Sequence, residues 1–171
     1  MTSNLYKSTI GAMLRQAEAL RGVLTKGREH LGPEADAFIN QSLCEDMLPF
    51  SFQIRSMAHS STGAIESLRT GAATPPPALE IDSYADLEAL LDKTIEDLKA
   101  VTAEELDTLV QNDVTFAMGD MKLPFTGLGF LTSFSVPNYY FHTTTAYNLL
   151  RQKGVSIGKQ DYLGAIDLNF G

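Results

Sequence analysis

The chain has 171 residues, of which 44% are hydrophobic and 20% charged, as is typical of a folded protein large enough for one core. Its 13 basic and 21 acidic residues give a net charge of -8, and without a Lys/Arg cluster nucleic acid and anionic membranes are not expected partners. No apolar run approaches a membrane span and the N-terminus lacks a signal-peptide pattern, so we expect a single domain, residues 1–171, in the cytoplasm.

The first predicted helix covers about residues 4–31. Gly32 and Pro33 predict its end, and His30 lies in its last turn, where the helix dipole favours a cation. Its apolar residues recur every three or four positions and describe one helical face: Tyr6, Ile10, Met13, Leu14, Ala17, Leu20 and Leu24.

A short helical piece around residues 34–39 precedes a second helix, which we predict over about residues 47–70. Asp46 is its predicted N-cap, and Pro49 is tolerated in the first turn. An unusually polar set interrupts its apolar pattern, so the helix is either largely exposed or lines a cavity: Gln53, Arg55, Ser56, His59, Ser60, Ser61 and Thr62. Residues 71–82 contain three consecutive prolines and are predicted to be a loop.

Two capping signals follow this loop. Ser83 with Asp86 resembles a capping box that begins a third helix over about residues 84–101. Thr102 with Glu105 repeats the signal and predicts a short further helix.

The last helix is predicted over about residues 127–153, with Thr126 as its N-cap. Residues 114–125 before it predict a small β-hairpin. Pro137 lies inside the helix and removes one backbone hydrogen bond, which predicts a kink. Together the elements predict an all-α four-helix bundle with a small β-hairpin before the last helix.

The tail, residues 155–171, has no helical period and is predicted to lie over the bundle in extended form. Its motif GKQDYLG either brings Lys159, Asp161 and Tyr162 to a pocket mouth or pins the tail with an exposed ion pair. Pinning is the interpretation we favour.

The stretch NYYFHTTTAY places a histidine in the last helix, where helical spacing puts Asn138 and His142 on one face. Tyrosines surround that level of the helix and are candidate pocket residues: Tyr139, Tyr140 and Tyr147. Three interpretations of His142 stay open: a core histidine with satisfied ring nitrogens, a pocket histidine for ligand contact or acid/base chemistry, and a metal ligand. His59, flanked by serines and a threonine, either lines the pocket or belongs to a polar helix face.

Three motifs resemble those of the DinB/YfiT-like helical-bundle superfamily, in the bacterial and fungal branch known only as a domain of unknown function. The motifs are EDMLPFSFQ at 45–53, PNYYFHTTTAYNLLRQKG at 137–154 and GKQDYLG at 158–164. The resemblance covers essentially the whole chain. It implies the four-helix fold of that superfamily and an enzyme scaffold.

In metal-binding members of the superfamily, one ligand is a histidine on the second helix and two come from an HxxxH pair on the fourth. The resemblance implies that His59 takes the first position and His142 the last, whereas Asn138 replaces the remaining histidine. An asparagine carbonyl is a poor substitute in a site for borderline-soft ions. Cys44 is the only cysteine, which excludes a thiolate-clustered metal site, and it is expected to be a buried, inert thiol. We therefore expect no metal and no other cofactor; a divalent metal held by His59 and His142 is the alternative.

The predicted function is binding of a small, largely apolar organic molecule between the second and fourth helices, contacted by the histidines, Asn138 and the tyrosines. Any chemistry there is expected to be metal-independent, with His142 as proton donor or acceptor. One alternative is a divalent-metal-dependent DinB-like enzyme. The other is a non-catalytic binding or stress-related bundle that forms a homodimer through helix faces.

Overall fold

The computed structural model describes residues 3–169, which are mostly helical with a small three-stranded sheet. The helices are α1 (Asn4–Ser8), α2 (Ile10–Leu31), α3 (Ala35–Phe38), α4 (Phe50–Ala58), α5 (Ala64–Thr70), α6 (Tyr84–Ala100), α7 (Ala103–Leu109), α8 (Gly127–Gly129), α9 (Val136–Gln152) and α10 (Lys159–Leu163). The strands are β1 (Ala72–Ala73), β2 (Val114–Met118) and β3 (Met121–Phe125). Within residues 3–169, no helix is both long and apolar enough to cross a membrane.

Two π-helical segments interrupt the long helices and meet at one end of the contact between α4 and α9. His59–Gly63 joins α4 to α5, and Phe130–Ser135 joins α8 to α9. The second segment ends immediately before the turn that contains Pro137, at the place where the sequence predicts a kink. Because π turns are frequent at functional sites, we expect a functional site at the contact between α4 and α9.

The predicted first helix is divided at Thr9, whose backbone has φ -118° and ψ -91°. The apolar face predicted for α2 is confirmed, with Ile10, Met13 and Leu20 fully buried. His30 lies in its last turn as predicted, and its Nε2 donates to the carbonyl of Lys153, 3.1 Å away.

The second predicted helix begins at Phe50, three residues later than expected, and Asp46 is not its N-cap. Instead, the N–H groups of Phe50 and Ser51 donate to the carbonyls of Gln41 and Ile39, at 2.8 and 2.9 Å. These backbone acceptors satisfy the first N–H groups of α4, so no capping side chain is needed.

Cys44 is exposed, and the prediction of a buried thiol is wrong. It lies in the connection between α3 and α4, and connections of this kind run over the surface, where water solvates the backbone.

The predicted hairpin is part of a three-stranded sheet in the order β1-β2-β3, so the expectation of a hairpin alone is corrected. β2 and β3 pair antiparallel, whereas β1 pairs parallel to β2 through Ala72 and Thr115. β1 lies within residues predicted as loop. Gly71, with φ 74°, turns the chain after α5, and its carbonyl accepts from the N–H of Thr115, which brings β1 beside β2.

The capping predictions for the later helices are confirmed. Ser83 and Asp86 form a capping box at the start of α6, and the Thr102 and Thr126 side chains cap α7 and α8. One turn into α6, the buried carboxylate of Glu88 bonds to Arg21 and Arg28 of α2, at 3.1 and 2.6 Å, which ties the two helices together.

The tail is helical at α10, which corrects the prediction of an extended segment; Phe170 and Gly171 lie outside the described residues. The Asp161 side chain accepts from the N–H of Gly158 and so caps this turn. It also pairs with Lys26 at 2.6 Å, so the predicted pinning by an ion pair is confirmed.

Candidate functional site

The helices α4 and α9 pack antiparallel, with a stripe of polar side chains along their contact. His142 of α9 bonds to Gln53 of α4, and the Ser135 hydroxyl donates to the carbonyl of Ser60. Because the two pairs are separated by the same number of residues on each helix, Ser56 of α4 lies about level with Asn138.

The hydrogen bonds of Gln53 determine which nitrogen of His142 carries the proton. The Gln53 amide nitrogen donates to the carbonyl of Leu48 at 2.8 Å, so its oxygen, Oε1, faces the ring. His142 Nδ1 lies 2.8 Å from this oxygen and must donate to it. In a neutral imidazole this leaves Nε2 with a free lone pair, and no residue from 3 to 169 bonds to Nε2.

Burial lowers the pKa of His142 to about 4, so the ring is neutral near pH 7. Phe141 and Phe52 lie nearly perpendicular to the imidazole ring, at 84° and 73°, with centroids 5.2 and 5.9 Å from its own. Phe141 is 55% exposed, so the group of aromatic rings around His142 is open to solvent on the Phe141 side. The site therefore combines one neutral hydrogen-bond acceptor with aromatic neighbours.

Ser56, one turn from Gln53, has a buried hydroxyl with no hydrogen-bond partner among the described residues. Other serines along the same helical stretch donate to a carbonyl about one turn back, as Ser61 does to Met57 and Ser67 to Gly63. Buried polar atoms nearly always have a partner, so the unpaired Ser56 hydroxyl is an exception within this helical stretch.

Asn138 uses its amide within its own helix. Its Nδ2 donates to the carbonyl of Phe134 at 2.7 Å, where the π-helical segment passes into α9. The carbonyl oxygen of the amide has no bond to a residue in the described part of the chain.

His59 lies at a second place, as the first residue of the π-helical segment that follows α4. Its Nε2 donates to the carbonyl of Thr74 at 2.7 Å, and its ring lies over Gly63, where a Cβ would come within 2.7 Å of Nδ1. A cavity of about 20 Å³ beside it is lined by serines and by Phe116, Phe130 and Phe134. That volume holds about one water molecule, not an organic ligand.

The predicted tyrosines lie elsewhere. Tyr139 is fully buried and donates to the carbonyl of Met13 at 2.7 Å, which makes it a core residue of the α2–α9 contact. Tyr147 packs against Tyr162 of the tail, and Tyr140 faces a groove between α2 and the tail. The predicted site residues thus occupy separate places, and His142 and Asn138 alone share the α4–α9 stripe.

The arrangement does not fit the metal site that the superfamily resemblance implies. His142 lies level with Gln53, whereas His59 lies next to Ser60, about 9 Å further along α4. No group of three His, Cys, Asp or Glu within residues 3–169 could hold an ion.

Gln53 and Ser56 are the residues that the sequence did not single out as part of the site. Both belong to the polar set on the second helix, and that set was the available signal. Their importance depends on which side of α4 faces α9, and a polar helix pattern alone does not identify the partner helix.

Comparison with known proteins agrees with the fold. The family described as "Domain of unknown function (DUF1993)" matches residues 5–163. A crystal structure of a DinB family member from Shewanella denitrificans is similar, with a TM-score of 0.79 and 23% identity; the match covers 98% of this chain and 96% of that one. No match is found among curated proteins. At this identity the structural likeness shows a shared fold.

Proposed function

This chain belongs to the DUF1993 family, and we propose that it binds a small, largely apolar organic molecule at the α4–α9 junction, with His142 Nε2 as the acceptor of a ligand hydrogen bond. One observation carries the proposal: Gln53 holds His142 in the tautomer that leaves Nε2 free. Small-molecule sites combine apolar and aromatic surfaces with a few placed polar groups. Phe52 and Phe141 supply the aromatic surface here.

The chemistry of His142 limits what the site can do. A neutral imidazole accepts a hydrogen bond or a proton but does not release a proton at pH 7. With its pKa lowered to about 4, His142 is a weak base. We therefore propose that its main role is to position the ligand and not to transfer a proton.

We propose that this site lies in a single-domain four-helix bundle of the DinB-like type. Its members are α2, the stretch from α4 to α5, α6, and the stretch from α8 to α9. One hydrophobic cluster includes residues from all four, and the similarity to a DinB family structure supports the same arrangement.

The experiment compares phenol with anisole, in which a methyl group replaces the donor hydrogen, in a thermal-shift titration of the untagged protein. Phenol should raise the melting temperature more than anisole, because only phenol donates to Nε2. The difference should disappear in His142→Ala and persist in His30→Ala, the matched control at the far end of α2. Equal shifts from both compounds would contradict the proposal. A His142→Ala protein that only unfolds would favour a structural histidine and the non-catalytic alternative.

A further inference from the structure

A groove of about 270 Å³ lies between α2, α9 and the C-terminal tail, on a different side of α9 from the Gln53–His142 pair. Ala12, Arg15 and Gln16 of α2 line one wall, and Tyr140 of α9 lies beside them. The tail, including Tyr162 and Ile166, lines the other wall. We call this feature the tail groove.

The tail wall is held in place at several points. The Tyr162 hydroxyl bonds to the hydroxyls of Thr143 and Thr144 of α9, at 3.1 and 2.9 Å. The backbone carbonyl of Tyr162 accepts from the side-chain amide of Gln16 at 2.6 Å. Gly164 has φ 62°, and a Cβ there would lie 2.7 Å from that of Ala19, so glycine permits the close approach to α2. These contacts fix the part of the wall around Tyr162 and Gly164, which does not have to be ordered when a ligand binds.

Arg15 brings an unpaired positive charge to this groove. Arg21, Arg28 and Arg69 each pair with a carboxylate within 3.4 Å. Arg15 makes no ion pair and no hydrogen bond with any residue from 3 to 169. Its guanidinium therefore keeps all its donors for water or a ligand.

Tyr140 adds a second donor next to Arg15. It is half-buried, and its hydroxyl bonds to none of the described residues. Burial raises the pKa of this phenol, as does nearby Tyr162, whereas the Arg15 charge lowers it. Arg15 and Tyr140 both line the groove. The hydroxyl stays protonated near pH 7 and can donate.

We propose that the tail groove binds a small organic monocarboxylate, with Arg15 and the Tyr140 hydroxyl holding the carboxylate and the apolar walls holding its body. A planar guanidinium matches the two oxygens of a carboxylate. Ala12 and Ile166 supply apolar surface for the rest of the molecule. Asp167 also lines the groove, and its charge opposes any anionic ligand, most strongly one with a second negative charge. The volume is below the ~300–1,000 Å³ of sites for drug-sized ligands, so the ligand is small.

The probe is phenylacetate, compared with the uncharged phenylacetamide, in a two-dimensional amide NMR titration of the full chain. We expect a dissociation constant on the order of 1 mM for phenylacetate, with shifts centred on residues 12–16 and 162–166, and no saturation with the amide. Arg15→Gln should weaken binding by about tenfold or more and Tyr140→Phe by about two- to tenfold, because charged hydrogen bonds contribute more than neutral ones.

Lys122→Gln on the exposed strand β3 is the charge-matched control and should bind phenylacetate as the unmodified chain does. His142→Ala should also retain binding, which separates this site from the α4–α9 junction. Unchanged affinity in Arg15→Gln, shifts centred elsewhere, or no shifts at about ten times the expected dissociation constant would each overturn the proposal.

Discussion

His142 Nδ1 lies 2.8 Å from Gln53 Oε1, and this hydrogen bond joins α4 to α9 at the candidate site. The Leu48 carbonyl determines the orientation of the Gln53 amide, so a loop residue before α4 indirectly determines which ring nitrogen of His142 is free. Such a chain of bonds fixes a tautomer without any charged partner.

The first prediction concerns the pH dependence of stability. Burial lowers the pKa of His142 from 6.5 to about 4, so between these values the unfolded chain binds more protons than the folded chain. The contribution of His142 is therefore fully present above pH 6.5 and is lost as the pH falls toward 4. Urea unfolding at a series of pH values measures it.

In His142→Gln, which has no titrating ring, the part of the pH dependence that His142 contributes between pH 4 and 6.5 should disappear. Carbon-detected NMR of the ring should also find His142 neutral at pH 5.5. A ring that titrates near its ordinary value would show that the imidazole is not desolvated in this way.

The second prediction is that Gln53→Leu destabilises the protein by about 1–3 kcal/mol, because it leaves the Leu48 carbonyl and the His142 Nδ1–H without their partner. Gln152→Leu, on an exposed residue near the end of α9, should change the free energy of unfolding by less than ~0.5 kcal/mol. Nitrogen NMR of the His142 ring should report a mixed tautomer in the first variant. A ring that keeps the proton on Nδ1 would mean that Gln53 does not select it.

Helix starts could be predicted from the sequence where they depend only on residues close by in the chain. Ser83 with Asp86 and Thr126 predicted helix starts that the structure contains, because a side chain bonds to an N–H three positions later. Asp46 failed as a cap because the carbonyls of Ile39 and Gln41, in a preceding segment, take over that role. β1 could not be predicted because two residues form a strand only beside β2.

The candidate site was predicted only in part for the same reason. The spacing of Asn138 and His142 placed them on one helix face, and they lie together on the α4–α9 stripe. The role of Gln53 depends on contacts that cross between helices, and local spacing does not encode them. Tyr139 and Tyr140 are neighbours in sequence, yet one lies in the core and the other in the tail groove.

The third prediction tests helix packing at Gly27. A Cβ at this position would lie 2.5 Å from the Tyr84 hydroxyl and 2.9 Å from a Leu150 methyl group. Gly27→Ala should therefore destabilise the protein by ~1–3 kcal/mol, although alanine is the better helix former. Gly22→Ala on the same helix has nothing within 4 Å of the new Cβ and should stabilise by up to about 1 kcal/mol. Chemical unfolding of both variants measures the contrast; equal effects would contradict the close approach of α6 and α9 to α2.

The fourth prediction concerns Glu88, whose side chain is 9% exposed and bonds to both Arg21 and Arg28. Glu88→Gln keeps the shape but removes the charge, and it should cost about 1–2 kcal/mol because both arginines are partly exposed and can be solvated. Asp92→Asn is the control, since Asp92 is 56% exposed and also pairs with Arg21. Its cost should stay below ~1 kcal/mol. A larger cost for Asp92→Asn would mean that the exposed pair, and not the buried carboxylate, holds α2 to α6.

The last prediction is that the untagged protein carries no stoichiometric transition metal and that zinc or nickel raises its melting temperature little. A zinc site needs three or four strong ligands at about 2.0–2.2 Å for nitrogen and oxygen. His59 lies beside Ser60 and His142 beside Gln53, so the two residues lie at different levels of the α4–α9 pair, and no group of three His, Cys, Asp or Glu within residues 3–169 could hold an ion.

Elemental analysis tests this prediction directly, and Asn138→His tests the reason for it. The variant creates a pair of histidines one turn apart on α9, so it should gain some zinc affinity from the new histidine together with His142, without His59. If that gain is the same after His59→Ala, His59 takes no part, as expected from its position about two turns away from the Gln53–His142 pair. If His59→Ala abolishes the gain, or if the unmodified chain carries one metal per molecule, the two histidines converge and the metal-dependent alternative replaces the proposal made for His142.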